Sequence, residues 1–114
     1  MAFHISITAD AESQWRALPA RQQRLLEAAI QTRLVHQPTT PTKAVKKLRP
    51  NPFAEFELRV GDLRVLYNVE GAGVLLLLVG RKVGNKLIVE GKDFHGHQDY
   101  PVEPAGDEPP GDVG

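Results

Sequence analysis

The sequence predicts an α+β fold: an N-terminal strand, an αα-hairpin, then a three- to four-stranded, mainly antiparallel sheet. Three observations carry this. Apolar and polar residues alternate over 3–8 and again over 55–60, the period of half-buried strands. Between those segments, apolar residues recur at helical spacing on both sides of Pro19. After Pro52, apolar runs are separated only by Gly61-Asp62 and by 70–73, both turn signals.

Each element has its own reason. Phe3, Ile5 and Ile7 share one face of the first strand. Asp10 suits the N-cap of a short helix whose stripe is Ala11, Trp15 and Leu18. Leu18-Pro19 ends that helix, and Pro19 opens a second over 20–36. Leu25, Leu26, Ala29, Ile30 and Leu34 make its inner face; Arg21, Arg24 and Gln31 lie outside. Residues 37–41, with two prolines, break the helix. A basic stretch, 43–49, reads as a solvated turn before Pro50-Asn51-Pro52.

Three strands follow. In 55–60, Phe56, Leu58 and Val60 face one way and Glu55, Glu57 and Arg59 the other. Gly61-Asp62 is a two-residue loop with Gly first, the type II′ pattern, and 63–69 is the return strand. The unbroken apolar run 74–79 suits a strand covered on both faces and ended by Gly80. Residues 86–90 suit a further short strand. A two-residue loop fixes register. Val60 then opposes Leu63, Arg59 opposes Arg64, Leu58 opposes Val65 and Phe56 opposes Tyr67, whose hydroxyl is expected at the rim. With 70–73 as the second loop, Val69 opposes Val74 and Arg64 opposes Val79. The chain leaves the sheet as Gly80-Arg81-Lys82, so Arg59, Arg64, Arg81 and Lys82 converge at one end. Two arginines directly across a strand pair repel each other and need a counter-charge. Glu57 is the local one; a phosphate is the other.

Composition bounds what this domain can be. A chain of 114 residues supports one core, not two. Apolar residues at 41% and charged residues at 25% exclude a disordered or fibrous chain. The longest apolar run, 74–79, is too short for a membrane-spanning helix, so no membrane partner is expected. With no cysteine, disulfide scaffolds, thiolate metal sites and cysteine nucleophiles are excluded. The first six residues show no basic leader before an apolar region, so no secretory signal is expected and a cytoplasmic location is the default.

The zero formal net charge conceals an asymmetry. All 14 Lys and Arg residues lie between Arg16 and Lys92, whereas Asp99, Glu103, Asp107, Glu108 and Asp112 fall beyond Asp93. A basic body points to an anionic partner. The segment 95–114 is rich in Pro and Gly and poor in large apolar side chains, so it is expected to be a disordered acidic tail on a domain spanning 1–94.

The segment Glu57-Leu58-Arg59-Val60-Gly61-Asp62-Leu63-Arg64-Val65-Leu66-Tyr67, followed by Val79-Gly80-Arg81-Lys82, resembles the RelE/ParE superfamily of bacterial type II toxins. The Arg-x-Gly-x-x-Arg-x-x-Tyr hairpin and the apolar strand ending in Gly and two cations carry the resemblance, with Lys47-Leu48 before them. It implies a toxin neutralised by a cognate antitoxin. RelE-type members cut mRNA at the ribosome, without metal or cofactor, by attack of the ribose 2′-OH on the adjacent phosphate. ParE-type members inhibit DNA gyrase, and an inert relative would only bind its antitoxin.

Transferred onto this chain, the resemblance places Arg64 at a phosphate-stabilising position and Arg59 at the basic position just before the turn; with Arg81 and Lys82 they are the expected contacts to the scissile phosphate. Arg81-Lys82 falls on a Lys-Arg pair in swapped order, with Lys82 in the second arginine's place. Arginine suits this chemistry because its planar fork grips phosphate oxygens in pairs. Two lysines of RelE-type sites map to Glu55 and Glu57, and a catalytic tyrosine maps near Ile88. Glu57 then becomes a base or an internal counter-ion, with His95 or His97 as its acid partner. Lys43, Lys46, Lys47, Arg49 and Lys86 are the expected contacts to RNA backbone, with antitoxin carboxylates the alternative partner for 43–49. His95 and His97 alone make no metal site.

Overall fold

The computed structural model describes residues 2–90 and the backbone of 92 and 93. His95, His97 and the acidic segment 95–114 lie outside the described residues. In chain order the elements are β1 (His4–Ile7), α1 (Ala9–Arg16), α2 (Ala20–Ala29) running into a π-helical turn (Ile30–Leu34), β2 (Val45–Lys47), β3 (Phe56–Val60), β4 (Leu63–Glu70), β5 (Gly73–Val83), β6 (Lys86–Val89) and β7 (Lys92–Asp93). The class is α+β, as expected, but the sheet is larger. Seven strands run β2-β3-β4-β5-β6-β7, with β1 parallel to the first half of β5.

Two of the extra pairings have identifiable causes. Lys46 and Lys47 make the basic stretch look like a solvated turn, yet Val45–Lys47 pairs antiparallel with β3 as an edge strand. Lysines on an edge discourage pairing with other chains. Gly80 does not end β5. The strand continues to Val83 and folds back through Gly84-Asn85 onto β6, pairing Arg81 with Ile88 and Lys82 with Leu87. Glycine is what permits this: a Cβ at Gly80 would lie 2.6 Å from the Ile88 carbonyl oxygen.

β1 and β6 occupy the same edge of β5 in succession. Between them the Val79 N–H would be left over, and it donates instead to Gln14 Oε1 of α1 at 2.8 Å. A side-chain amide thus completes the ladder where two strands change places, meeting the need of a buried backbone donor.

The helices start and end for local reasons. α1 is capped by Thr8, not Asp10: the Thr8 hydroxyl accepts from the Ala11 N–H at 3.1 Å. Asp10 lies inside the first turn, where its charge still suits the positive helix end. Leu26, Ile30 and Leu34 stack on the buried side of the second helical segment, but Leu25 is 49% exposed, one step round from that stripe. The N-terminal strand is likewise less covered than its alternation suggests, since Ile7 is exposed.

The sheet is buried on both faces near its centre. The helix face carries the main core, with Leu26, Ile30, Leu34, Leu58, Val65, Tyr67 and Val79. Trp15 packs on its margin. The opposite face carries a second, smaller core of Leu48, Ala54, Leu66, Leu78 and Leu87. Leu75 on the same strand is exposed, so the apolar run of β5 is covered on both faces only in part.

Candidate functional site

The β3–β4 hairpin has the expected register at every pair: Phe56 with Tyr67, Leu58 with Val65, Arg59 with Arg64 and Val60 with Leu63. Gly61 takes a left-handed φ of 61° and Asp62 does not, as a Gly-first loop requires. The next pairing departs from expectation. Val69 does oppose Val74, but a bulge at Leu77 shifts the ladder by one residue, so Arg64 opposes Gly80 and not Val79.

That single extra residue decides which cation joins the arginine pair. Partners across a ladder share a face, and a one-residue slip exchanges faces. Without the bulge, Arg81 would lie on the face of Arg64. With it, Arg81 lies opposite Leu63 on the helix face, beside Gln14, Leu18 and Gln22. Lys82, paired with Leu87 of the second core, takes the Arg64 face. The four expected cations therefore gather at one end of the sheet but on two faces: Arg59, Arg64 and Lys82 on one, Arg81 on the other.

Glu57 sits between the arginines. It shares the second face with them, and because that face has its own core the carboxylate is fully buried. Its Oε1 accepts from Arg59 Nε at 2.7 Å, and its Oε2 is 4.0 Å from Arg64 Nε. Arg64 Nη1 donates to the carbonyls of Gly61 and Leu63, at 2.8 and 2.9 Å, which ties the side chain to its own hairpin loop. The Arg64 side chain is 11% exposed and that of Arg59 26%. Burial pulls the Arg64 pKa below the ordinary value; Glu57 opposes this, Arg59 adds to it and Asp62 opposes it.

The remaining candidates divide between the faces. Lys46 is the cross-strand partner of Glu57, on the arginine face. Lys47, opposite Phe56, lies on the helix face with its ammonium 5.9 Å from that ring's centroid. Lys43 and Arg49 flank β2 and are exposed, and Lys86 is exposed at the β5–β6 turn. Glu55 closes the far end of the hairpin: its Oε1 accepts from the Val69 N–H, and its own N–H donates to Asn68 Oδ1. Ile88 lies on the helix face opposite Arg81, away from the arginine pair.

Glu57, expected as a base or an internal counter-ion, is fully buried with its Oε1 on Arg59 Nε. One expectation needs correction. Tyr67 does not present its hydroxyl at the rim. The residue is fully buried, stacked on Phe56 at 5.5 Å between centroids, and its hydroxyl donates to the Pro38 carbonyl at 2.6 Å. Gln14 was not legible as a contributor, because nothing in a helical Gln signals a bond to a strand 65 residues on.

A helix pair on one face of a mainly antiparallel sheet, with β1 added in parallel, is the RelE-like fold class. A chain of the RelBE2 toxin–antitoxin complex from Mycobacterium tuberculosis matches with a TM-score of 0.62 at 23% identity, covering 72% of this chain and 93% of that one. A chain of the archaeal RelE-RelB complex from Pyrococcus horikoshii OT3 matches with a TM-score of 0.59 at 22% identity, covering 71% and 96%. No family model matches the chain, and no curated protein matches it significantly in sequence. The likeness is one of fold. Among the described residues, no helix is long and apolar enough to cross a membrane.

Proposed function

We propose that this protein is the toxin of a toxin–antitoxin pair, that it acts in the cytoplasm on mRNA at the ribosome, and that a cognate antitoxin protein holds it inactive. The observation that carries the reading is the arginine pair Arg59–Arg64 directly across β3 and β4, with Lys82 and Lys46 on the same face. Four cations on the face of one buried carboxylate give that end of the sheet an excess of positive charge, which is attractive to phosphate. Both structural neighbours come from toxin–antitoxin complexes, which supports the pairing.

The chemistry such a face supports is internal attack on RNA. The ribose 2′-oxygen forms a bond to the adjacent phosphorus, the bond from phosphorus to the 5′-oxygen breaks, and a cyclic phosphate and a 5′-hydroxyl result. The proton leaves the 2′-oxygen to solvent, and solvent returns one to the leaving oxygen. The contribution of this chain is charge: Arg59 and Lys82 neutralise the extra negative charge of the pentacoordinate phosphorus, and Arg64 backs them from the hairpin loop. A second reading, a relative that binds its antitoxin without catalysis, is favoured by one fact. Among the described residues, Glu57 is buried and Ile88, which lies on the opposite face, has no proton to transfer.

The test is induction in cells with mapping of transcript ends. Codon-phased mRNA breaks that disappear in an Arg59→Ala, Lys82→Ala double variant support the nuclease. Growth arrest with intact mRNA and DNA damage would point to gyrase as target, and absence of any phenotype to the inert relative.

A further inference from the structure

We propose that Glu57 is a positioning residue, which sets the separation and orientation of the Arg59 and Arg64 guanidinium groups for an RNA phosphodiester; this rests on reading the arginine face as the RNA-binding one. A buried carboxylate in the middle of a phosphate-binding face opposes binding if it acts through charge alone. Its geometry serves a different purpose. The two arginines are direct cross-strand partners and repel each other. Glu57 holds Arg59 by its inner nitrogen, Nε, whereas Arg64 Nε stands 4.0 Å from the other carboxylate oxygen as an ion-pair neighbour without a hydrogen bond.

The outer nitrogens differ. Arg64 spends Nη1 on the loop carbonyls of Gly61 and Leu63. Among the described residues, the Arg59 side chain bonds to nothing but Glu57. Its two terminal amino groups are therefore unspent, on a side chain whose rotation is already restricted. Guanidinium has five N–H donors in a fixed plane, so fixing one fixes the direction of the others. Glu57 Oε2 and Arg64 Nε are buried and lack hydrogen-bond partners among the described residues, 4.0 Å apart. They leave room for Arg64 to close onto the carboxylate as a ligand draws the face together.

Charge and positioning predict opposite signs, which makes the test decisive. The probe is a fluorescent single-stranded RNA 10-mer, its binding followed by anisotropy at low salt for the wild type, Glu57→Gln, Arg59→Lys, Arg59→Ala and the double variant of Glu57→Gln with Arg59→Lys, with circular dichroism to confirm folding. Glu57→Gln adds one formal positive charge to the face. Positioning predicts that it nonetheless binds RNA about tenfold more weakly, within the span of couplings between touching residues. It also predicts that the double variant binds no more weakly than Arg59→Lys alone, because Glu57 acts through Arg59. Equal or tighter binding by Glu57→Gln overturns the inference and leaves the RNA face standing. A wild type that binds the probe no better than Arg59→Ala overturns both. Should Glu57→Gln fail to fold, side-chain nitrogen NMR of the wild type decides: an Arg59 Nε–H signal that persists when RNA is added supports the inference, and its loss as Arg59 leaves the carboxylate overturns it.

Discussion

Arg59 and Arg64 face each other across β3 and β4, and the group that reconciles them is the carboxylate of Glu57, two residues before Arg59 on the same strand. Removing one member of a buried ion pair leaves the other uncompensated and costs about 3–5 kcal/mol. Arg59 is partly exposed, so Glu57→Ala falls at the low end, about 3 kcal/mol by the same rule. Urea denaturation of the two proteins measures it. A loss below about 1 kcal/mol, the worth of a surface pair, would mean the arginines find water on their own.

Gly80 marks a close approach of backbones. A Cβ there would lie 2.6 Å from Ile88 O and 3.1 Å from Val89 Cγ2, and the carbonyl cannot retreat without opening the β5–β6 pairing. Gly80→Ala is expected to destabilise by about 1–3 kcal/mol, the range for overpacking. Amide exchange should also quicken at Leu87 and Ile88. Gly73→Ala is the control: its Cβ would meet no atom nearer than 3.4 Å, so its melting temperature should stay within about 2 °C of wild type.

The contrast between these strands shows what a sequence reveals. The β3–β4 register was legible because a two-residue loop leaves one way to pair, and alternating Glu, Arg and Leu mark the faces. The β4–β5 register was not, because the bulge falls within Leu75-Leu76-Leu77-Leu78, where identical side chains conceal any slip. The site suffered from the same blind spot. Its residues could be named, but Arg81 and Lys82 could share a rim only if β5 stopped at Gly80. Once the strand runs on, neighbours must point to opposite faces, and the bulge assigns Lys82 to the arginine side. The burial of Glu57 was also hidden, since it depends on the second core formed by residues as distant as Leu48 and Leu87.

The cap of α1 separates two neighbouring side chains. Thr8 has an extended backbone and bonds the Ala11 N–H, whereas Asp10 is already helical. Thr8→Ala should cost about 1 kcal/mol, the usual worth of an N-cap. Asp10→Ala should cost only about 0.3–1 kcal/mol through the helix dipole, and this loss should shrink in 1 M salt while that of Thr8→Ala does not. Thermal melts at two salt concentrations distinguish them.

Tyr67 makes stability depend on pH at the alkaline end. Burial raises its pKa above the ordinary value near 10, because an ionised phenolate in the core has no water around it. In the unfolded chain the phenol titrates normally. The folded state thus holds its proton where the unfolded state has lost it, and stability falls as pH rises past 10. Below that value the contribution is fully present. The slope contributed by this one residue reaches at most about 1.4 kcal/mol per pH unit. Tyr67→Phe removes the titration but also deprives the Pro38 carbonyl of its donor, a loss of about 1–3 kcal/mol. The variant should therefore be less stable than wild type at pH 8, and the gap should narrow between pH 10 and 11.5. Denaturation across that range is the measurement, and two parallel curves would show that the phenol ionises as readily in the folded protein as outside it.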